Sequence, residues 1–198
     1  MKEYFLQKKI LKLLYSFLIL YFLLLPTAMA IKSNRGLDGF VQGSIDALKN
    51  ARLHSNMGNI YFDEGKYISA LKEYEVAFNL AHNTQAGGVY LYNIARCYLV
   101  MGDYALAKNA IEGAISKDCI NMTYYEILAE CIVKLKIDKS ELKKFINDAS
   151  NPYNRIVVGL IYLKKGKKMQ ARAIFDDFVL QNPDMIITED VKAILNKI

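Results

Sequence analysis

The stretch GNIYFDEGKYISA, Gly58 to Ala70, decides the fold, because its pattern returns 37 residues later as ARCYLVMGDYALA, Ala95 to Ala107. Both stretches contain a small residue, then Tyr, Gly, Tyr and Ala at the same spacing, while most of the residues between them differ. A third match begins at Gly159, which lies 64 residues after Ala95. Internal periods of this size are typical of proteins built from stacked repeats.

The apolar residues of each copy are spaced as on one face of a helix with a period near 3.6. In the second copy they lie three, one and three residues apart, at Leu91, Ile94, Ala95 and Tyr98. A second apolar stripe follows the central glycine of the copy. Because glycine adopts positive φ without steric cost, each copy is predicted to be two helices joined by a turn. The predicted turns are at Gly65, Gly102 and Gly166.

Small residues in both helices predict that the two helices pack closely. Gly58 and Ala70 fall midway along the two helices of the first hairpin, where a larger side chain would push the helix axes apart. Tyr61 and Tyr74 are expected to fill the space on either side, with their hydroxyls free to reach water or a carbonyl. The repeated register is therefore interpreted as a packing requirement and not as a set of reactive groups.

These residues resemble the tetratricopeptide repeat (TPR), a helical hairpin of about 34 residues. The first copy matches at Met57, Gly58, Tyr61, Ala70, Tyr74 and Ala77, and departs at His54, where the family has a bulky aromatic residue. Arg155 is the same departure in the last copy. The resemblance implies an all-α, right-handed superhelical solenoid of about four hairpins with a degenerate third one. Their ranges are 51–84, 88–121, 122–151 and 152–185.

The ends of the chain carry separate predictions. Residues 1–30 combine a basic start, an apolar run and Ala28-Met29-Ala30, which is the order of a secretory signal peptide. The run of about 13 to 16 residues is shorter than the roughly 20 that a membrane-spanning helix needs, so we expect cleavage after Ala30. Residues 31–50 are predicted to be a leader with a possible helix. The repeat domain, 51–187, is followed by a capping helix, 188–198, with Thr188 as its N-cap.

Charge and cysteine content limit the possible partners and cross-links. The leader contains four of the 26 basic and one of the 20 acidic residues, which leaves a net charge of +3 and predicts no nucleic-acid partner. Three cysteines are a small and odd number, which does not indicate a disulfide framework. Cys97 and Cys131 are predicted to be buried free thiols. Cys119 is predicted to be an exposed thiol that can cross-link two chains.

The resemblance implies a groove on the concave face, formed by the first helix of each hairpin, in which another protein binds. The residues expected to line it are Asn59, Phe62, Tyr92, Arg96, Leu99, Glu126, Glu130 and Leu160. This mixture of apolar and charged side chains suits an amphipathic segment. In the alternative interpretation, Arg96 only pairs with Glu126 or Glu130 of a neighbouring helix, which contributes about 0–1 kcal/mol if the pair is exposed.

The sequence contains no pattern that indicates an enzyme or a cofactor. It has no glycine-rich phosphate loop, and neither His54 nor His82 has a metal-ligating neighbour at the required spacing. We therefore expect a non-catalytic adaptor of the cell envelope that is exported, with the periplasm as the favoured compartment, and that meets the membrane only through its signal peptide. The alternative is a membrane-tethered structural or dimerisation module with an uncleaved signal anchor.

Overall fold

The computed structural model of the 198-residue chain describes residues 41–136 and 151–198. The predicted signal peptide, most of the predicted leader and the second half of the third hairpin lie outside the described residues. The chain divides into two compact units, residues 1–47 and 48–198. Of the first unit, residues 41–47 are described and are helical.

The described part of the second unit consists of eight helices joined by short turns and loops. They are α1 (48–63), α2 (Tyr67–Ala81), α3 (Ala86–Met101), α4 (Tyr104–Lys117), α5 (Met122–Lys134), α6 (Tyr153–Lys164), α7 (Lys168–Gln181) and α8 (Thr188–Leu195). Neighbouring helices pack against each other along the chain, most extensively α3 against α4. The all-α architecture of helical hairpins predicted from the register is confirmed.

The three central glycines form the turns between the helices of a hairpin, as predicted. Gly65, Gly102 and Gly166 have φ of +74°, +86° and +70°. In each turn the next residue donates its N–H to a carbonyl five residues back, for example Lys66 to Tyr61 at 2.8 Å. A β carbon on any of these glycines would meet nothing within 4 Å, so the requirement for glycine comes from positive φ and not from crowding.

The third hairpin has lysine where the others have glycine in this turn. Lys136 lies 34 residues after Gly102 and has φ of +56°. We expect Lys136→Gly to raise the free energy of unfolding by about 0.5–1 kcal/mol, because left-handed backbone costs a non-glycine residue roughly 1–2 kcal/mol and glycine's greater freedom when unfolded offsets part of this gain.

The midpoint of urea denaturation at constant slope measures this effect. Lys165→Gly is the matched control, because Lys165 lies in the equivalent turn of the last hairpin with a φ of −89°. The control should bring no gain. A Lys136→Gly protein no more stable than the parent would contradict the assignment of this turn.

A small residue of the first helix faces a large residue sixteen positions later. A β carbon on Gly58 would lie 2.6 Å from the ring of Tyr74, and one on Gly159 would lie 2.3 Å from the ring of Phe175. Both rings are fully buried. The side chain nearest to Gly58 is therefore the ring of Tyr74, and this ring occupies the space left by the missing side chain of Gly58. Close approach at these glycines, which the sequence predicts, is confirmed.

Two departures from the family pattern are compensated by polar contacts between helices. His54 Nδ1 lies 2.7 Å from Glu73 Oε2 of α2, and Arg155 Nε lies 3.4 Å from Asp177 Oδ2 of α7. In both hairpins a polar side chain stands in place of the aromatic one and joins the first helix to the second. The sequence pattern of the first helix alone does not reveal these partners.

The C-terminal helix covers the end of the stack, although its first residue acts differently from the prediction. Val191 is fully buried, and Ile194, Leu195 and Ile198 pack on the same core. The prediction that Thr188 caps α8 is wrong, since Ile187 holds the N-cap position without a side-chain hydrogen bond. Thr188 is the first helical residue, and its buried hydroxyl donates to the carbonyl of Asn182 at 2.6 Å. This bond fixes α8 to the end of α7.

Candidate partner-binding surface

Arg96 occupies the centre of the predicted groove, held between aromatic rings. Its guanidinium carbon lies 4.2 Å from the ring centroid of Phe62 on α1 and 5.7 Å from that of Tyr92 on its own helix. It donates a hydrogen bond of 3.3 Å to the side-chain oxygen of Asn93. These contacts fix the guanidinium on a half-buried surface, where a cation attracts the ring faces.

Further contacts join the first helices into one continuous surface. Tyr92 of α3 stacks on Tyr124 of α5, with ring centroids 5.3 Å apart. Glu130 of α5 pairs with Lys164 of α6 at 3.2 Å. Together with the contact of Arg96 on Phe62, these pairs connect α1, α3, α5 and α6. The row of first-helix side chains defined by these contacts is called the inner face below.

The carboxylates of the inner face do not neutralise Arg96 within the part of the chain that the structure describes. Glu130 is paired with Lys164, and Glu126 is exposed and has no ion pair among the described residues. The alternative interpretation, in which Arg96 pairs with one of them, therefore has no support from the geometry. Among the described residues, the guanidinium of Arg96 therefore has no carboxylate partner.

The other predicted groove residues differ in their accessibility. Asn59 is exposed, and its side-chain oxygen accepts a hydrogen bond of 2.7 Å from the hydroxyl of Tyr74. Leu99 is half-buried, one turn beyond Arg96 on the same side of α3. Leu160 is the exception, because it is only 4% exposed and belongs to the main core. Its inclusion as a groove residue is wrong.

The predicted lining of the groove lacks three residues that support the inner face, one on α3 itself and two on neighbouring first helices. Asn93 is 7% exposed and orients Arg96. The ring of Tyr124 stacks on that of Tyr92, and Lys164 forms an ion pair with Glu130. Tyr124 was not found because it lies one position before the stripe that the helical period assigns to the core. The pairing of Lys164 depends on the spacing between α5 and α6, which sequence periodicity does not report.

The thiols have the accessibility predicted for them. Cys97 and Cys131 are buried and Cys119 is exposed, and all three are free. Burial raises the pKa of Cys97 and of Cys131 to about 11, so both are protonated and unreactive at neutral pH. Cys119 accepts a hydrogen bond of 3.3 Å from the hydroxyl of Tyr153. It is the accessible thiol of the chain.

The described residues show neither a metal site nor a helix suited to span a membrane. Among residues 41–136 and 151–198, no cluster of three or more His, Cys, Asp and Glu side chains is placed to hold a metal ion. Over the same ranges, none of the helices combines the length and the apolar character needed to cross a bilayer. The inner face is the candidate site, and the stacked hairpins define a helical-repeat protein.

Comparison with known proteins shows what the chain is similar to. Residues 89–116 match the model of the tetratricopeptide repeat. The human protein named Intraflagellar transport protein 88 homolog is 23% identical over 145 residues, which are 72% of this chain and 15% of that protein. The chain thus spans a small part of the length of this curated relative.

Two solved structures are among those to which the chain is similar. A tetratricopeptide repeat protein from Parabacteroides merdae is 20% identical, covers 75% of this chain and 60% of its own, and has a TM-score of 0.48. The first TPR of Spaghetti (RPAP3), solved bound to the HSP90 peptide SRMEEVD, is 16% identical, with a TM-score of 0.45. The match covers 76% of this chain and 90% of that chain.

Proposed function

We propose that the chain is a non-catalytic adaptor that binds a segment of another protein on its inner face. The observation that carries the proposal is Arg96, a half-buried cation that stacks on Phe62 and Tyr92 and has no carboxylate partner among the described residues. A guanidinium fixed in this way is ready to accept a carboxylate in two parallel hydrogen bonds. Little side-chain freedom remains to be lost when the partner binds.

The neighbours of Arg96 define the chemistry of the partner. Leu99, Phe62 and Tyr92 present half-buried apolar surface on both sides of the cation. Glu126 is an exposed carboxylate on α5, two hairpins away from Phe62. The complementary segment therefore carries an acidic side chain or a terminal carboxylate beside an apolar one, and a basic residue further along. An amphipathic helix or an extended peptide meets this description.

We expect Arg96→Glu to reduce recovery of the partner by at least about tenfold, because breaking a desolvated charge pair costs about 2 kcal/mol or more. Arg96→Lys should have a smaller effect, since it keeps the charge and loses the planar guanidinium. The measurement is quantitative affinity purification of the tagged protein from its own cells. Tyr92→Ala, which removes one of the supporting rings, should also weaken recovery.

Lys168→Glu provides a control with the same change of charge on the exposed start of α7. It should leave the recovered proteins unchanged, and thermal unfolding should show that each variant is folded. Equal recovery of every co-purifying protein by the Arg96→Glu variant and the parent would contradict binding at this face.

The cellular context that we propose is the envelope, with export through the predicted signal peptide and the periplasm as the favoured compartment. Its support is the order of basic, apolar and small residues in 1–30, which lie outside the described residues. Determining the N-terminal residue of the protein isolated from its cells tests this context. Ile31 is expected, whereas Met1 would favour the alternative of a tethered module.

A further inference from the structure

The outer side of α1 exposes three apolar residues at helical spacing. Leu53 is 60% exposed, Met57 is 43% exposed and Ile60 is 58% exposed. They lie four and three residues apart, so they form one stripe, called the outer stripe below. At 100° per residue this stripe lies on a different side of α1 from Phe62, and it is therefore separate from the inner face.

The equivalent residues of the second and third hairpins are buried. The constant shift of 37 places Tyr90, Ile94 and Cys97 at these positions of α3, and they are 7%, 6% and 0% exposed. In the third hairpin the equivalents are Tyr124, Leu128 and Cys131, at 2%, 5% and 0%. In the last hairpin Val158 and Ile161 are 0% and 1% exposed and Asn154 is half-buried. The first hairpin alone exposes all three positions.

The later stripes are covered by the hairpin that precedes them. Tyr90 belongs to one core cluster with Ala77 and Ala81 of α2, and Ile94 and Cys97 belong to another with Ala70 and Tyr74 of the same helix. The outer stripe of α1 is therefore a stacking surface of the same design, on which no preceding hairpin lies among residues 41–136 and 151–198. At the opposite end of the array, α8 provides the cover that an end repeat needs.

We propose that the outer stripe binds the outer stripe of a second copy of the chain, as an antiparallel pair of α1 helices about a twofold axis. An axis between residues 56 and 57 places Leu53 near Ile60 of the second copy and brings the two Met57 side chains together. The same axis places Lys49 near Glu64 of the second copy, and symmetry repeats this contact. Both side chains are exposed, and among the described residues Lys49 has no ion pair.

This complementarity of charge selects a second copy over an unrelated helix. Lys49 lies at one end of the outer stripe and Glu64 lies just beyond the other, at equal distance from its centre, which is the arrangement that a self-complementary surface requires. Glu64 is already oriented by Lys66, whose Nζ lies 2.8 Å from it on the exposed turn. The apolar centre supplies burial, and the charged ends fix the antiparallel direction.

Cysteine cross-linking in the full chain tests the geometry. In a Cys119→Ser background, which removes the exposed native thiol, Met57→Cys should give a disulfide-linked dimer on mild oxidation. Ile68→Cys is the matched control, because Ile68 is 66% exposed on α2 and lies off the outer stripe. A dimer from Met57→Cys alone is the expected result. No dimer from either variant, or equal amounts from both, would overturn the proposal.

Exchange of the two charges gives a second test, which does not depend on oxidation. Sedimentation equilibrium of the full chain should show a dimer that Lys49→Glu weakens about tenfold and that Lys49→Glu with Glu64→Lys restores. Because both residues are exposed, neither change should unfold the protein. A parent chain that is monomeric at every concentration would overturn the proposal and show that something else covers the outer stripe. A double variant whose dimer is as weak as that of Lys49→Glu alone would also overturn the proposal.

Discussion

Gly159→Ala is expected to lower the free energy of unfolding by roughly 1–3 kcal/mol, which is the usual cost of overpacking a core. The new β carbon would lie 2.3 Å from the ring of Phe175, and this ring is fully buried, so it has no open space into which to move. The strain must exceed the roughly 1 kcal/mol by which alanine favours a helix over glycine. Thermal or urea unfolding measures the difference.

Gly43→Ala is the control for helix propensity. Gly43 is helical, and a β carbon there would meet nothing within 4 Å, so this change should leave stability equal or slightly higher. The two glycine substitutions should therefore have opposite signs. Destabilisation of similar size at both positions would show that crowding by Phe175 is not the cause.

The second hairpin suggests a compensating change. There Ala95 and Ile111 stand at the same spacing of sixteen residues, and both are fully buried. Adding Phe175→Ile to Gly159→Ala recreates this pair in the last hairpin. We expect a favourable coupling of about 1–2 kcal/mol in the double-mutant cycle, because the smaller residue removes the collision. Strictly additive effects would contradict a direct contact between the two positions.

Ala107→Leu is the second large effect that we expect. Ala107 of α4 is fully buried at the position equivalent to Ala70 and Ala171, which are also fully buried. Three extra carbon atoms at this site should destabilise the protein by roughly 1–3 kcal/mol, since the packed interior has no room for them. The measurement is again the midpoint of thermal or urea unfolding.

Leu106→Ala is the control for Ala107→Leu. Leu106 is the preceding residue and is 48% exposed, so its truncation should cost much less. Ala107→Leu as stable as the parent would show that this part of the register is misassigned.

The sequence predicted the hairpins because the features that specify them are local. A turn at positive φ needs glycine wherever it occurs, and a tight approach to Tyr74 or Phe175 needs a missing side chain at a fixed spacing. Such requirements repeat with the unit and are visible as a period. The third hairpin shows the limit of this prediction. Lys136 stands there at the position of the turn glycine and still has positive φ, which the sequence pattern does not indicate.

The candidate site was predicted less completely, because it depends on side chains from different hairpins. Arg96 and Tyr92 share one face of α3, and Arg96 contacts Phe62 of α1. Leu160 is buried instead, although the same periodicity places it on the groove. The period locates a residue on its helix. How deeply it lies depends on the neighbouring helices, whose placement is a property of the whole stack.

Cross-linking from the inner face in living cells tests the proposed function most directly. A photoreactive residue at Leu99 should capture a specific protein, and Arg96→Glu should abolish that capture. The same residue at Leu180, which is 80% exposed on the second helix of the last hairpin, should not capture it. Capture of the same proteins from both positions, unaffected by Arg96→Glu, would contradict binding of a partner at the inner face.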